Sequence, residues 1–174
     1  VRLGIQICED LWDDDYHVKV TDILSELNAD VIINLSASPF YVHRIKDRIE
    51  IVRDKVKKHN KPYVYCNSVG YQEELVFDGQ SFIMNSSGNI IASGKSFQQD
   101  LVIGDVSSKK AYTFNILDQF EELFQALSLG VKDYLHKTHH SKVVIGLSGG
   151  IDSAVTAAIA ANAIDSRNII GISM

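Results

Sequence analysis

The chain has 174 residues, of which 22 are acidic and 17 basic, giving a net charge of −5 and a pI near 5.6. This length suits one domain or parts of two. The basic residues are dispersed among acidic ones, which argues against a nucleic-acid partner. Two cysteines exclude a disulfide framework, and neither a signal peptide nor an apolar run of the ~20 residues that a bilayer needs is visible. We therefore expect a cytoplasmic protein with no membrane partner.

The first part of the chain, to about residue 106, alternates predicted strands with predicted helices. Apolar and β-branched runs predict strands, while apolar residues at three-four spacing in a charged stretch predict an amphipathic helix over 42–59. The predicted strands are 3–7, 31–34, 63–66, a hairpin of 81–84 with 90–92, and 101–106, and the predicted helices are 17–28 and 42–59. This succession is typical of a layered α/β fold.

The second part begins after a polar segment that we interpret as a linker over 107–115. An apolar stripe from Ile116 to Val131 predicts a helix, and a β-branched strand follows at 143–147. An Ala-rich helix over about 152–163 and a second parallel strand near 171–174 come next, and we expect the strand at 143–147 and the Ala-rich helix to be buried. The domains predicted are thus 1–106 and 116–174. Because the chain starts in a strand and stops just after another, we expect it to be an internal piece of a longer protein.

A glycine-rich loop lies between the strand at 143–147 and the helix that follows it. Two glycines let the backbone approach an anion, and the first turn of the helix directs free N–H groups at that anion. No Gly-Lys-Ser/Thr ending and no G-x-G-x-x-G fingerprint is present, so two common phosphate motifs are excluded. Asp152 suits a Mg²⁺ ion or a backbone amide; the plainer alternative is a helix start that Ser and Asp merely cap. We predict ATP binding at Gly146, Leu147, Ser148, Gly149, Gly150, Ile151, Asp152 and Ser153.

Cys8 ends the first predicted strand and precedes two carboxylates, Glu9 and Asp10. The carboxyl ends of strands are where α/β proteins place reacting groups. Taken alone, a cysteine after an apolar strand is more often a small buried hydrophobic residue. Adjacent carboxylates are unusual in a core and suit a polar pocket. Cys66, in the strand over 63–66, is expected to lie in the core.

Four segments carry a resemblance to known families. Residues 4–12, 33–40 and 74–82 resemble the nitrilase (carbon–nitrogen hydrolase) superfamily, and Ser-Gly-Gly-Ile-Asp-Ser resembles the pyrophosphate loop of N-type ATP pyrophosphatases. Together they resemble the glutamine-dependent NAD⁺ synthetases. The resemblance implies the C-terminal part of a nitrilase-like α-β-β-α sandwich. The start of a doubly wound, parallel-sheet, adenine nucleotide α-hydrolase-like (PP-loop) domain follows it.

The resemblance also implies residue roles in the glutaminase half. Cys8 is the nucleophile that attacks the glutamine side-chain amide, giving a thioester and ammonia. The general base and the oxyanion-binding lysine of that family lie upstream of the cysteine, so we expect neither in this chain. Glu9 is expected to shape the glutamine site, and Ser38 and Arg44 to contact glutamine. From the residues alone, Arg44 is as readily a solvated helix residue and Ser38 a turn residue.

The implied reaction amidates deamido-NAD⁺ to NAD⁺ with ATP, Mg²⁺ and glutamine-derived ammonia, in a homo-oligomer with a sheltered path for the ammonia. No protein metal site is expected, since the six histidines are scattered. Two alternatives are open: another glutamine-dependent PP-loop amidotransferase, or a nucleotide-binding fragment that is inactive alone. The acidic composition argues against a tRNA acceptor.

Overall fold

The computed structural model describes residues 1–174, which form two compact units. Unit 1 comprises Val1–Val69 and Phe77–Leu117, and unit 2 comprises Gly70–Val76 and Asp118–Met174. Short 3-10 helices occur at Cys8–Leu11 and Ser166–Asn168. The other elements, in chain order, are β1 (Leu3–Ile7), α1 (Val20–Glu26), β2 (Val31–Ser36), α2 (Arg44–His59), β3 (Tyr63–Asn67), β4 (Val69–Gln72), β5 (Leu75–Asp78), β6 (Phe82–Met84), β7 (Ile90–Ser93), α3 (Gln119–Lys137), β8 (Val143–Leu147), α4 (Ile151–Ala163) and β9 (Ile169–Ser173).

Unit 1 is built on a five-stranded sheet in the order β1-β2-β3-β6-β7. The first three strands are parallel, with Leu3 opposite Val31 and Ile32 opposite Tyr63, whereas β6 and β7 add as an antiparallel hairpin. The parallel register brings the carboxyl ends of β1, β2 and β3 to one edge. The predicted hairpin and the three predicted strands that precede it are confirmed.

One face of this sheet carries the core of unit 1. Helix α2 packs its apolar stripe, including Ile45 and Val52, against Ile32, Tyr65 and Phe82 of the sheet. Because side chains alternate across a strand, the odd-numbered residues of β1 point the other way. These are the apolar side chains of Leu3, Ile5 and Ile7, each about half exposed or more. A sheet with helices on one face and bare apolar side chains on the other is half of a sandwich.

Unit 2 contains a β8–α4–β9 segment and the long helix α3. Strands β8 and β9 are parallel, with Val143 opposite Ile169. Helix α3 also holds the tip of the β4–β5 hairpin. The Asp133 carboxylate accepts the Tyr71 N–H over 2.8 Å, and Lys137 donates to the Tyr71 carbonyl. The hairpin lies close to α3 at Gly70 (φ +136°), where an added Cβ would be 2.8 Å from the Asp133 carboxylate.

Two structural predictions are wrong. Residues 101–106 form no strand, because the Tyr112 N–H takes the Ile90 carbonyl at the edge of β7 instead. The helix α4 is not buried: Ala160 and Ala163 are its only buried residues, and Ile151 is 75% exposed. With two strands in its sheet, unit 2 gives this apolar helix and strand β8 too small a surface to be buried against.

Candidate active site

Cys8 lies where strand β1 passes into the 3-10 helix Cys8–Leu11. Its φ of 45° falls in the left-handed region, which non-glycine residues seldom adopt, so the backbone is strained here. The Asn34 side-chain amide donates to the Cys8 carbonyl over 3.3 Å, and the Ile7 N–H donates to the Asp10 carboxylate over 2.8 Å. The thiol is free and partly buried. The predicted nucleophile therefore occupies a sharply turned strand end that leaves its side chain accessible.

Glu9 is exposed and is oriented by the loop that precedes α1. The Tyr16 hydroxyl donates to the Glu9 carboxylate over 3.1 Å. This hydrogen bond, together with the negative charge of Glu9, raises the pKa of Tyr16 above its ordinary value. Tyr16 therefore orients the Glu9 carboxylate.

Ser38 is buried and follows the end of β2. Its N–H donates to the side-chain oxygen of Asn67 over 2.9 Å. Its hydroxyl and carbonyl oxygens accept from Arg48 over 3.2 and 2.8 Å. Ser38 thus does more than close a turn: two side chains from α2 and β3 fix its backbone.

A buried ion pair lies behind Ser38. Arg48 donates to both carboxylate oxygens of Asp78 over 2.7 and 2.8 Å, and both side chains are almost fully buried. Gln80 and Asn67 donate to the same carboxylate over 2.8 and 3.3 Å. Burial raises the pKa of Asp78 above its ordinary value, whereas the Arg48 charge acts in the opposite direction.

Arg44 is the first residue of α2 and stacks on aromatic rings. Its guanidinium carbon lies 3.8 Å from the centre of the Trp12 ring and 4.8 Å from that of Tyr41. The guanidinium also donates to the Tyr41 hydroxyl over 2.6 Å. A stacked, hydrogen-bonded guanidinium is oriented, unlike that of a solvated helix residue. Since Trp12 lies just after the 3-10 helix that begins at Cys8, it joins Arg44 to the cysteine motif.

The predicted residues of this half are connected through intermediaries. Asn34 contacts the Cys8 carbonyl and the Ser36 hydroxyl, and α2 carries Arg44 at the position where Trp12 stacks. No hydrogen bond joins Cys8 or Glu9 directly to Ser38 or Arg44. Cys66 is exposed, so its assignment to the core is wrong: in β3 its neighbours Tyr65 and Asn67 face the core and Cys66 faces away.

The glycine-rich loop of unit 2 joins β8 to α4. Gly149 has φ +80°, and a Cβ built there would meet nothing within 4 Å. Gly150 precedes the helix without any side-chain cap, and the first intrahelical bond runs from the Ala154 N–H to the Gly150 carbonyl. The N–H groups of 151–153 therefore have no helical acceptor. This exposed backbone is suited to an anion such as a phosphate.

The serines of the loop stabilise its shape. The Ser153 hydroxyl donates to the Gly150 carbonyl over 2.9 Å and lies 3.4 Å from the Ser148 hydroxyl. Gly146 and Leu147 belong to β8 rather than to the loop. They pack against β9, where an added Cβ at Gly146 would lie 2.9 Å from Met174. Both therefore position the loop from the sheet.

Residues 1–115 match the family described as carbon-nitrogen hydrolase. The chain belongs to the carbon–nitrogen hydrolase family. Residues 123–174 match a second family, described as NAD synthase.

Relatives of this carbon–nitrogen hydrolase chain cover it end to end. It is 41% identical to the glutamine-dependent NAD(+) synthetase of Synechocystis sp. over 100% of the chain and 34% of the relative. It is 36% identical to that of Acinetobacter baylyi over 99% of the chain and 32% of the relative. The chain therefore spans about a third of the length of the curated relatives it matches.

Solved structures agree with the fold. The glutamine-dependent NAD⁺ synthetase of Acinetobacter baumannii, in complex with ADP, has a TM-score of 0.88 at 34% identity, covering 99% of this chain and 33% of its own. The Cytophaga hutchinsonii synthetase has a TM-score of 0.73 at 27% identity over 92% of this chain and 25% of its own. A carbon-nitrogen hydrolase from Helicobacter pylori, 22% identical over 57% of this chain and 38% of its own, gives 0.50. The predicted fold class, a nitrilase-like part followed by the start of a synthetase domain, is confirmed.

Sequence reasoning missed the buried polar residues of this hydrolase family member. Arg48 and its partner Asp78 were given no role, nor was the aromatic contact of Trp12. One signal was present: Arg48 lies three residues after Ile45, on the apolar stripe of α2, where a charge needs a buried partner. No helix is long and apolar enough to cross a membrane, and no group of three or more His, Cys, Asp and Glu side chains is arranged to hold a metal ion.

Proposed function

We propose that the intact protein containing this chain makes NAD⁺ from deamido-NAD⁺, ATP and glutamine. The observation that carries the proposal is that one chain contains two different candidate sites, one in each of the two family matches. A strand-end cysteine in a carbon–nitrogen hydrolase part precedes an uncapped glycine loop in a part that matches NAD synthases. The relatives named above, called glutamine-dependent NAD(+) synthetases, support it.

In the hydrolase half, the Cys8 sulfur attacks the side-chain carbonyl carbon of glutamine. A general base takes the thiol proton and passes it to the nitrogen as the C–N bond breaks, so that ammonia leaves. Water then hydrolyses the thioester to glutamate and regenerates the thiol. Because the thiolate and not the thiol is the nucleophile, the attack needs such a base or a positive field at neutral pH. Glu9, Ser38 and Arg44 bind the glutamine: the carboxylate of Glu9 suits an ammonium group and the guanidinium of Arg44 suits a carboxylate.

In the synthetase half, the backbone amides at Gly149 to Ser153 bind the phosphates of ATP. The open space beside Gly149 leaves room for the phosphate oxygens. The Acinetobacter baumannii synthetase structure is a complex with ADP, which supports an adenine nucleotide as a ligand of the intact protein. The deamido-NAD⁺ carboxylate attacks the α-phosphorus, pyrophosphate leaves, and ammonia displaces AMP. Asp152 is the one carboxylate of the loop, which fits Mg²⁺ that is bound mainly through substrate phosphates.

The remaining parts of the proposal concern setting and partners. We place the protein in the cytoplasm, where a reducing environment keeps the Cys8 thiol free. Its other partners are further copies of itself in a homo-oligomer. The net charge of −5 and the dispersed basic residues offer no general surface for nucleic acid.

The test compares two nitrogen sources in the intact protein. We expect Cys8→Ala to lower glutamine-supported NAD⁺ formation by at least about 1,000-fold, because the nucleophile is lost. Ammonium-supported formation should be unchanged, because it needs the synthetase half alone. The matched control is Cys66→Ala, which removes an exposed thiol and should change neither rate. If the Cys8→Ala variant and the unaltered protein form NAD⁺ from glutamine at equal rates, the hydrolase half of the proposal is refuted. If the unaltered protein forms NAD⁺ from neither glutamine nor ammonium, the synthetase half is refuted.

A further inference from the structure

Unit 1 buries a charged cluster that the proposed chemistry does not use. Arg48 has no exposed side-chain surface, and Asp78 has 1%. Charged side chains usually lie at the protein surface, whereas this ion pair is buried and connects α2 to the end of β5. Replacing a buried ion pair by apolar residues often leaves stability unchanged or raises it, so stability alone is a weak reason for its presence.

The guanidinium of Arg48 is divided between two tasks. One terminal nitrogen donates to both oxygens of Asp78. The other donates to the carbonyls of Ser38 and Pro39 over 2.8 and 3.2 Å, and Nε donates to the Ser38 hydroxyl over 3.2 Å. Because the guanidinium is planar and rigid, Asp78 fixes the direction of the bonds that reach Ser38.

Asn67 completes the restraint on Ser38. Its side-chain oxygen accepts the Ser38 N–H, and its side-chain nitrogen lies 3.4 Å from the Ser38 carbonyl and 3.3 Å from Asp78. The N–H, the carbonyl and the hydroxyl oxygen of Ser38 are thus all bonded within one buried network. Arg48 and Asn67 therefore fix both the backbone and the side chain of Ser38.

We propose that Arg48, anchored by Asp78, is a positioning residue that holds Ser38 in the geometry required to bind glutamine. The inference rests on the proposed function, because it needs Ser38 to contact the substrate. Arg48 itself does not touch the substrate. Its loss should weaken glutamine binding while the synthetase half keeps its rate.

The first measurement is steady-state kinetics of the intact Arg48→Lys variant. Lysine keeps the positive charge beside Asp78 but lacks the planar set of three nitrogens through which Arg48 reaches Asp78, Ser38 and Pro39 together. We expect the KM for glutamine to rise about tenfold, the equivalent of one well-placed hydrogen bond. The kcat with saturating glutamine and the ammonium-supported rate should stay within about twofold. The matched control is Arg53→Lys, on the same helix, whose guanidinium bonds the Gly88 carbonyl over 3.2 Å and not Ser38.

A second pair of variants tests the route through Ser38. If Arg48 acts by positioning Ser38, then Ser38→Ala combined with Arg48→Lys should raise the KM no more than Ser38→Ala alone. Should Arg48→Lys fail to fold, the double variant Arg48→Met with Asp78→Leu removes both buried charges and leaves neither unpaired. The same rise in KM is expected from it.

The outcomes separate this inference from the proposed function. If Cys8→Ala abolishes glutamine use and Arg48→Lys leaves the KM unchanged, or lowers both nitrogen-source rates equally, Arg48 is merely structural and the inference is overturned. Additive effects of Ser38→Ala and Arg48→Lys overturn it as well. If Cys8→Ala still uses glutamine, the proposed function fails first and this inference fails with it.

Discussion

The two units build their candidate sites from different parts of the polypeptide. In unit 1 the polar groups belong to side chains from separate elements. Ser38 after β2 and Arg48 on α2 are buried, whereas Glu9 is exposed. In unit 2 the groups are backbone amides of one continuous exposed loop at 148–153. A site of the first kind depends on packing across the unit, whereas one of the second kind depends on the local path of the chain.

One ion pair from each unit shows the same contrast. In unit 1, Lys55 of α2 pairs with Asp13, whose side chain is only 2% exposed, in the loop after the cysteine motif. In unit 2, Arg167 pairs with Asp165 at 2.5 Å, with 86% of the arginine side chain exposed. Electrostatic energy is larger where water is excluded, so the buried pair should be the sensitive one.

The largest effect is therefore expected from Lys55→Met in unit 1. The substitution leaves the Asp13 carboxylate buried without its cation, held only by the Val20 N–H at 3.1 Å. Breaking a buried pair in this way destabilises by about 3–5 kcal/mol. Hydrogen exchange of the peptides that cover α1 and α2 in the intact protein would report the loss as faster exchange.

Two controls sharpen this prediction. Lys55→Met combined with Asp13→Leu removes both charges and should restore most of the protection. Arg167→Met removes the exposed cation of unit 2 and should leave exchange in its own unit unchanged. Equal losses from Lys55→Met and Arg167→Met would contradict the contrast between a packed site and an exposed one.

The second effect tests the backbone character of the loop in unit 2. Gly149→Ala adds a methyl group to a space that the chain leaves empty, so its cost beyond local strain must come from a ligand. We expect NAD⁺ formation to fall at least about tenfold with either nitrogen source, because the methyl group keeps phosphate from the backbone. The matched control is Gly88→Ala, whose φ of +81° imposes the same strain in a hairpin turn of unit 1. If both variants lose activity equally, the loop is sensitive only to strain.

The contrast also explains what the sequence could predict. The phosphate loop could be predicted at residues 148–153 because all its backbone groups belong to consecutive residues. The strand and the helix on either side of it occur as predicted. The parallel strands β1 and β2 were predictable for the same reason, since each is a local apolar run.

The rest required long-range information. The partner of Arg48 is Asp78, 30 residues away, and periodicity can indicate that a charge is buried without telling what it meets. The exposure of α4 was missed because an apolar helix predicts burial only if the fold supplies a surface to cover it. The segment 101–106 begins with an apolar run typical of a strand, yet Tyr112 occupies the edge position at Ile90. Each wrong or missing prediction concerns a contact with residues distant in the sequence, and not the preference of a segment for a helix or a strand.

The smallest effect is expected at Asp22, which is intermediate between the buried and the exposed pairs. Its carboxylate binds Lys58 over 2.6 Å and His59 over 2.7 Å, with 26% of its side chain exposed. The hydrogen bond from Lys58, more than that from His59, lowers the pKa of Asp22 below its ordinary value. A carboxyl whose pKa is lowered by folding stabilises the protein above the unfolded pKa of about 3.9, and this contribution is lost as the pH falls through the folded pKa.

Asp22→Asn should therefore lower stability by about 0.5 kcal/mol at neutral pH, and by progressively less once the pH falls below about 4. The check is the difference in thermal midpoint between Asp22→Asn and the unaltered intact protein, in a series from neutral pH to about pH 3. The control is Asp54→Asn on α2, which breaks a 3.5 Å pair with Lys57 in which both side chains are about two-thirds exposed. A difference in thermal midpoint that is the same at every pH would show that Asp22 stabilises the protein by packing and not by its charge. The increase of ion-pair stabilisation with burial would then hold only for the fully buried pairs of unit 1.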